Sequence, residues 1–178
     1  MKYYSFLNEF SNLQKEKLQI LLSRKIDSNI IEIYNIADEM TIESFAIEEN
    51  LKVMISSNLG EIERNLIKYI SNYKKLIYRS SEVCLMEILR GNNCVFKVLD
   101  NVFSKLDTYL INNLVIYYYE NLNKINTSKR LYIHRNTLNY RIKKAEDITN
   151  YNFDDINNLK LLHIYYLVQN AQDNNMNL

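Results

Sequence analysis

Residues 123–150 read Asn123-Lys-Ile-Asn-Thr-Ser-Lys-Arg-Leu-Tyr-Ile-His-Arg-Asn-Thr-Leu-Asn-Tyr-Arg-Ile-Lys-Lys-Ala-Glu-Asp-Ile-Thr-Asn150. Two short helical patterns stand back to back, the first over about 124–131 and the second over about 135–148. Leu131, Ile133, Leu138, Ile142 and Ala145 form a narrow apolar seam, and the last three recur at the spacings of one helix face. Between them stand Arg135, Asn136, Thr137, Asn139, Tyr140, Arg141, Lys143 and Lys144. A helix that opens with Arg, Asn and Thr, set behind a shorter helix, has the order of a helix-turn-helix. The charge is lopsided as well. From 121 to 145 the chain carries Lys124, Lys129, Arg130, Arg135, Arg141, Lys143 and Lys144 and no acid, although the whole protein is only +1. Concentrated positive charge is what a phosphate backbone selects. The alternative, a merely solvated helix face, does not account for base-reading residue types and an apolar seam occurring together in this order.

Leu131-Tyr-Ile-His-Arg-Asn-Thr-Leu-Asn-Tyr-Arg-Ile142 resembles the C-terminal helix-turn-helix of the PucR/CdaR type of bacterial transcriptional regulators. The signature of that family is Leu, an apolar residue, His-Arg-Asn-Thr-Leu, one variable residue, then Tyr-Arg-apolar. The resemblance covers residues 105–168, with the stretch from Tyr109 to Asn123 as the preceding helix and that from Phe153 to Leu167 as the closing one. It implies a DNA-binding regulator. Two departures stand out. Asn150 replaces a glycine, but Asn tolerates the left-handed conformation that ends a helix. Ser128 replaces an alanine, and its hydroxyl can bond back to the preceding turn.

A recognition helix presents its N-terminal residues to base edges in the major groove. Arg135 can pair bidentately with guanine, Asn136 and Asn139 with adenine, and Thr137 can meet a thymine methyl or a phosphate. Tyr140, Arg141, Lys143 and Lys144, with Lys129 on the first helix, are expected on phosphates. His134, in the turn, has three open roles: a phosphate donor, a helix cap or a structural residue. Arg141 has a second reading, a pair with Glu146 or Asp147. One helix-turn-helix covers few base pairs, so a homodimer on double-stranded DNA is expected, with the helices before Leu106 as its surface.

The remaining chemistry is sparse. Cys84 and Cys94 stand ten apart with no Cys-x-x-Cys and no nearby His, so buried thiols are expected rather than a metal site. No nucleophile stands with a base and no phosphate loop is present, so no catalytic residue, metal or cofactor is assigned. A competing reading makes the chain an adaptor whose helix-turn-helix contacts protein; a small-molecule effector is left open. The N-terminus lacks a signal peptide's apolar run and no stretch approaches a membrane span, which favours a cytoplasmic protein.

With no Pro and two Gly among 178 residues, turn chemistry is scarce and helices are favoured. The expected fold is mainly α: a C-terminal helix-turn-helix bundle behind a small N-terminal α or α+β region. Residues 3–26 read as a helix with a break near Ser11. Residues 28–57 divide between three short antiparallel strands and helix. Regulators of the resembled type often carry a nucleotide-cyclase-like α/β domain here, and this segment is the place for a reduced one, although it holds no substrate or metal motif. Residues 60–90 read as helical, with a fresh start at Ser80-Ser81-Glu82 and an end at Gly91; further helices follow to Asn121. Asp154-Asp155 opens the last helix, where His163 reads as a packing residue. The expected divisions are 1–104 for dimerisation or sensing, 105–170 for DNA binding, and a flexible tail at 171–178.

Overall fold

The computed structural model describes residues 1–176, with side chains to Gln172. The N-terminal part is a four-stranded sheet. Strands β1 (Lys2–Phe6), β2 (Ile30–Ile33), β3 (Val53–Ser56) and β4 (Ile77–Arg79) lie in the order β2-β1-β3-β4. β1 runs antiparallel to both neighbours and β3 parallel to β4. Helices α1 (Asn12–Leu22) and α2 (Ile36–Glu48) cover one face, where Leu18, Ile42 and Phe45 meet Tyr4, Phe6, Ile31, Ile33, Val53 and Ile55. Met54 and Tyr78 point the other way, into a second core shared with α3 (Glu61–Leu66) and α4 (Ser80–Leu89). Because both faces are covered, all four residues of β3 are buried.

Two expectations about secondary structure need correction, and a third element, left open between strand and helix, is a helix. Residues 2–6 form a strand, not the start of a helix. β1 is flanked on both sides by partners far away in sequence, and that pairing outweighs a local four-residue spacing. Phe6 and Phe10, which suggested a helix face, meet edge to face 4.7 Å apart across the connection. Ser11 is where the helix begins: it caps α1 by accepting from the Gln14 N–H, and the Gln14 side chain accepts from the Ser11 N–H. The stretch from Thr41 to Ile47 is helical rather than extended. Asn35 caps α2 and Asp38 and Glu39 sit in its first turn, opposite the positive helix end. Within residues 60–90, a short 3₁₀ turn (Ile67–Asn72) and β4 interrupt the expected helix. A three-residue edge strand leaves too little alternation to be read from sequence.

The C-terminal part is helical: α5 (Asn93–Phe103), α6 (Thr108–Tyr119), α7 (Lys124–Arg130), α8 (Arg135–Thr149) and α9 (Ile156–Met176). α9 packs on α4, α5 and α6, and α8 packs on α6 and α7. One core runs without interruption from Met54 and Tyr78 through Leu99 and Phe103 to Leu138, Ala145 and Leu162, so the expected 104/105 division falls inside continuous packing. The polar stretch from residue 171 continues α9 as far as Met176; residues 177–178 lie outside the described residues. Cys84 is buried, and burial pushes its thiol up to about 12; Cys94, expected to be buried, is exposed. His163 lies among Tyr118, Tyr119 and Tyr166, its Nε2 2.8 Å from the Tyr119 hydroxyl.

Candidate nucleic-acid interface

α7 ends in a tight turn. The Tyr132 N–H donates to the Lys129 carbonyl at 3.1 Å and the Ile133 N–H to the Ser128 carbonyl at 3.0 Å. This pairing requires a left-handed residue, and Tyr132 supplies it with φ 53°. Ser128 is buried and its hydroxyl donates to the Ile125 carbonyl at 2.9 Å, the back-bond expected of a serine in place of alanine. The turn then delivers His134 as the cap of α8. Its Nδ1 accepts from the Asn136 N–H at 3.2 Å, which leaves Nε2 as the hydrogen-bearing nitrogen of an exposed ring. Of the three roles open to His134, capping is the one the geometry displays, and it keeps Nε2 available as a donor.

Leu138, Ile142 and Ala145 are buried against α6 and α7 and fix the roll of α8. Spacing around the helix then sends Asn136, Asn139, Tyr140 and Lys143 to the opposite side, and all four are exposed. Arg135 and Thr137, in the first turn, are exposed too, as is Lys129 on α7. Among the described residues, Arg135 and Lys129 make no ion pair, while Lys143 reaches Asp147 at 3.0 Å with both side chains in solvent. Solvent screens such an exposed pair, so it is readily exchanged for a phosphate. At its far end α8 closes on Asn150, left-handed at φ 59°, as expected where glycine is usual.

Two of the ten residues are held elsewhere. Arg141 is half-buried, donates to the Asn113 carboxamide oxygen at 3.0 Å and lies over the Tyr109 ring at 5.4 Å. It pairs with neither Glu146 nor Asp147. Asn113 is itself buried and donates to the Tyr109 carbonyl, so it is oriented to receive the guanidinium. Lys144 lies over the same ring at 5.6 Å and 3.8 Å from Asp107. These two cations tie the flank of α8 to α6, and the other eight of the ten expected residues are exposed. Asn113 and Tyr109 were missed in the sequence. The available signal was Asn112-Asn113 within the otherwise apolar stretch from Leu110 to Ile116, because a buried amide needs a partner.

The C-terminal end of α8 is held by the loop after β3 and by α3. The loop after β3 sends the Asn58 amide to the Asn150 carbonyl at 2.9 Å and the Ser57 hydroxyl to Asn158 at 3.1 Å. Tyr151 donates to the buried Glu63 carboxylate at 2.8 Å. A β-carbon on Gly60 would lie 2.6 Å from that hydroxyl, so any larger residue would have to displace the Tyr151 side chain.

Residues 110–168, from α6 into α9, match the model of the PucR C-terminal helix-turn-helix domain. This part of the chain is a PucR-type helix-turn-helix domain. An uncharacterized protein of Haemophilus influenzae is 31% identical over 102 residues, covering 54% of this chain and 28% of that protein. YsfB, an uncharacterized protein of Bacillus subtilis, is 30% identical over 95 residues, 51% of this chain and 25% of its own length. The matches thus take in about a quarter of these relatives. Among solved structures, a regulator of polyketide synthase expression from Bifidobacterium adolescentis superposes with a TM-score of 0.50 at 14% identity. That match covers 97% of this chain and 80% of the other, a likeness of fold that extends through the sheet as well as the PucR-type domain. No helix of the described residues is long and apolar enough to cross a membrane.

Proposed function

We propose that the chain is a sequence-specific, DNA-binding transcriptional regulator rather than an enzyme, and that it places α8 in the major groove of double-stranded DNA. The observation that carries this reading is the division of α8 within its PucR-type domain. Its inward side is locked by Leu138, Ile142 and Ala145, and its outward side is polar, cationic and open. Arg135 reads guanine, Asn136 and Asn139 read adenine, and Thr137 touches a thymine methyl or phosphate. Lys129, Tyr140, Lys143 and the Nε2 of His134 hold phosphates. Arg141 and Lys144 reach the same backbone from the flank, and Arg141 does so only by leaving Asn113. The chain acts as a cytoplasmic homodimer, because one recognition helix covers a half-site. Residues 1–104 provide dimerisation or effector sensing.

The test is a salt titration of binding to a selected duplex. Affinity should fall steeply with salt. Replacing Arg135 with Ala should relax base preference by about 1–3 kcal/mol at one position. Lys143→Ala should instead weaken all sequences alike and reduce the salt slope by about one. Two variants that bind like wild type would end the groove assignment.

A further inference from the structure

We propose that Tyr132 is a DNA-backbone contact, its hydroxyl donating to a phosphate oxygen where the turn meets the strand; this rests on the groove reading above. Among the described residues, those other than glycine with positive φ are Ser23, Asn50, Asn121, Leu122, Tyr132 and Asn150. Three are Asn, which tolerates this conformation, and Ser23 is short. Leu122 packs against the core and gains burial. Tyr132 has neither excuse: its large side chain is strained by φ 53° and is 96% exposed. A glycine there would relieve the strain, and the ring gains no packing in the free protein. Side chains held at such cost with nothing covering them point to a contact made with a partner.

The position identifies the partner. Tyr132 lies three residues after Lys129 and two before the His134 cap, between exposed groups that flank the start of α8. Its own N–H is bonded to the Lys129 carbonyl, so the turn is fixed rather than loose. A neutral phenol among cations at this end of a recognition helix is suited to a phosphate oxygen, which carries no sequence information.

The experiment uses the full chain with Tyr132→Gly and Tyr132→Phe, and Arg135→Ala and Lys143→Ala as comparators. Binding to a random-sequence duplex of about 30 base pairs is followed by anisotropy at several salt concentrations, beside thermal melting. Tyr132→Gly should melt about 2 °C higher yet bind about five- to tenfold more weakly. Its salt slope should match wild type, because a neutral group releases no counterion. Tyr132→Phe should remain weak. A glycine variant that binds like wild type, melts lower or changes the slope overturns the proposal, as does a phenylalanine variant with full affinity. If Lys143→Ala also binds like wild type with an unchanged slope, the DNA reading itself fails; if only the Tyr132 variants do so, the loss is confined to this contact.

Discussion

The two ends of α8 are built on opposite terms. At its N-terminal end Arg135, Asn136 and Thr137 stand exposed and the turn is strained at Tyr132. At its C-terminal end Asn150 and Tyr151 are tied to the β3–α3 loop and to a carboxyl that is almost fully buried. One end is open to solvent; the other is fastened to the rest of the fold. The difference teaches where a change should alter stability and where it should alter binding.

The largest effect is expected midway, where both ends depend on the same core. Leu138→Ala should cost about 2–5 kcal/mol in urea denaturation, since it empties a fully buried position. At the fastened end, Gly60→Ala should cost about 1–3 kcal/mol because the new methyl meets the Tyr151 hydroxyl. The same substitution in a Tyr151→Phe background should cost less, and additive costs would show that the two do not touch.

Two carboxyls near this end should divide the pH profile of stability. Burial raises the Glu63 carboxyl above its usual range, and its Oε1 lacks a partner among the described residues. Its contribution is therefore full below the ordinary Glu value and is lost as pH rises through the folded value. Glu63→Gln should remove that fall with rising pH. Asp154 behaves in the other sense. Burial favours its neutral form, but hydrogen bonds from Lys124 and Tyr117 outweigh this and hold the carboxyl below its usual value. Its contribution is present above the ordinary Asp value and disappears as pH falls through the lower folded one. Asp154→Asn should flatten the acid limb alone. Denaturation midpoints across pH check both, and a Gln variant that keeps the fall with rising pH would contradict the assignment to Glu63. The smallest effect belongs to the open end: Arg135→Ala should change stability by no more than about 0.5 kcal/mol.

The open end was also the most legible part of the sequence. Leu138, Ile142 and Ala145 announce a helix face by spacing alone, and α7 and α8 begin and end within a residue or two of where that spacing puts them. The sheet was legible only in outline. β1 depends on partners about thirty and fifty residues away, which no local pattern records. α2 was obscured because Ile42, Phe45 and Ala46 lie among other apolar residues that blur a helical period into partial alternation. At the interface, residue types indicated which side chains are cationic but not which are already engaged. Arg141 and Lys143 look alike in sequence, yet Asn113 and Tyr109 hold the first and only an exposed Asp147 meets the second.

The most direct test of the central claim is to follow backbone amide shifts by NMR as duplex DNA is added to the full chain. The largest changes should fall at the turn and along the outward side of α8, from Lys129 to Lys143, with Leu138 and Ile142 responding only through their neighbours. Changes centred on α1 and α2, or none at saturating DNA, would contradict the placement of α8 in the groove.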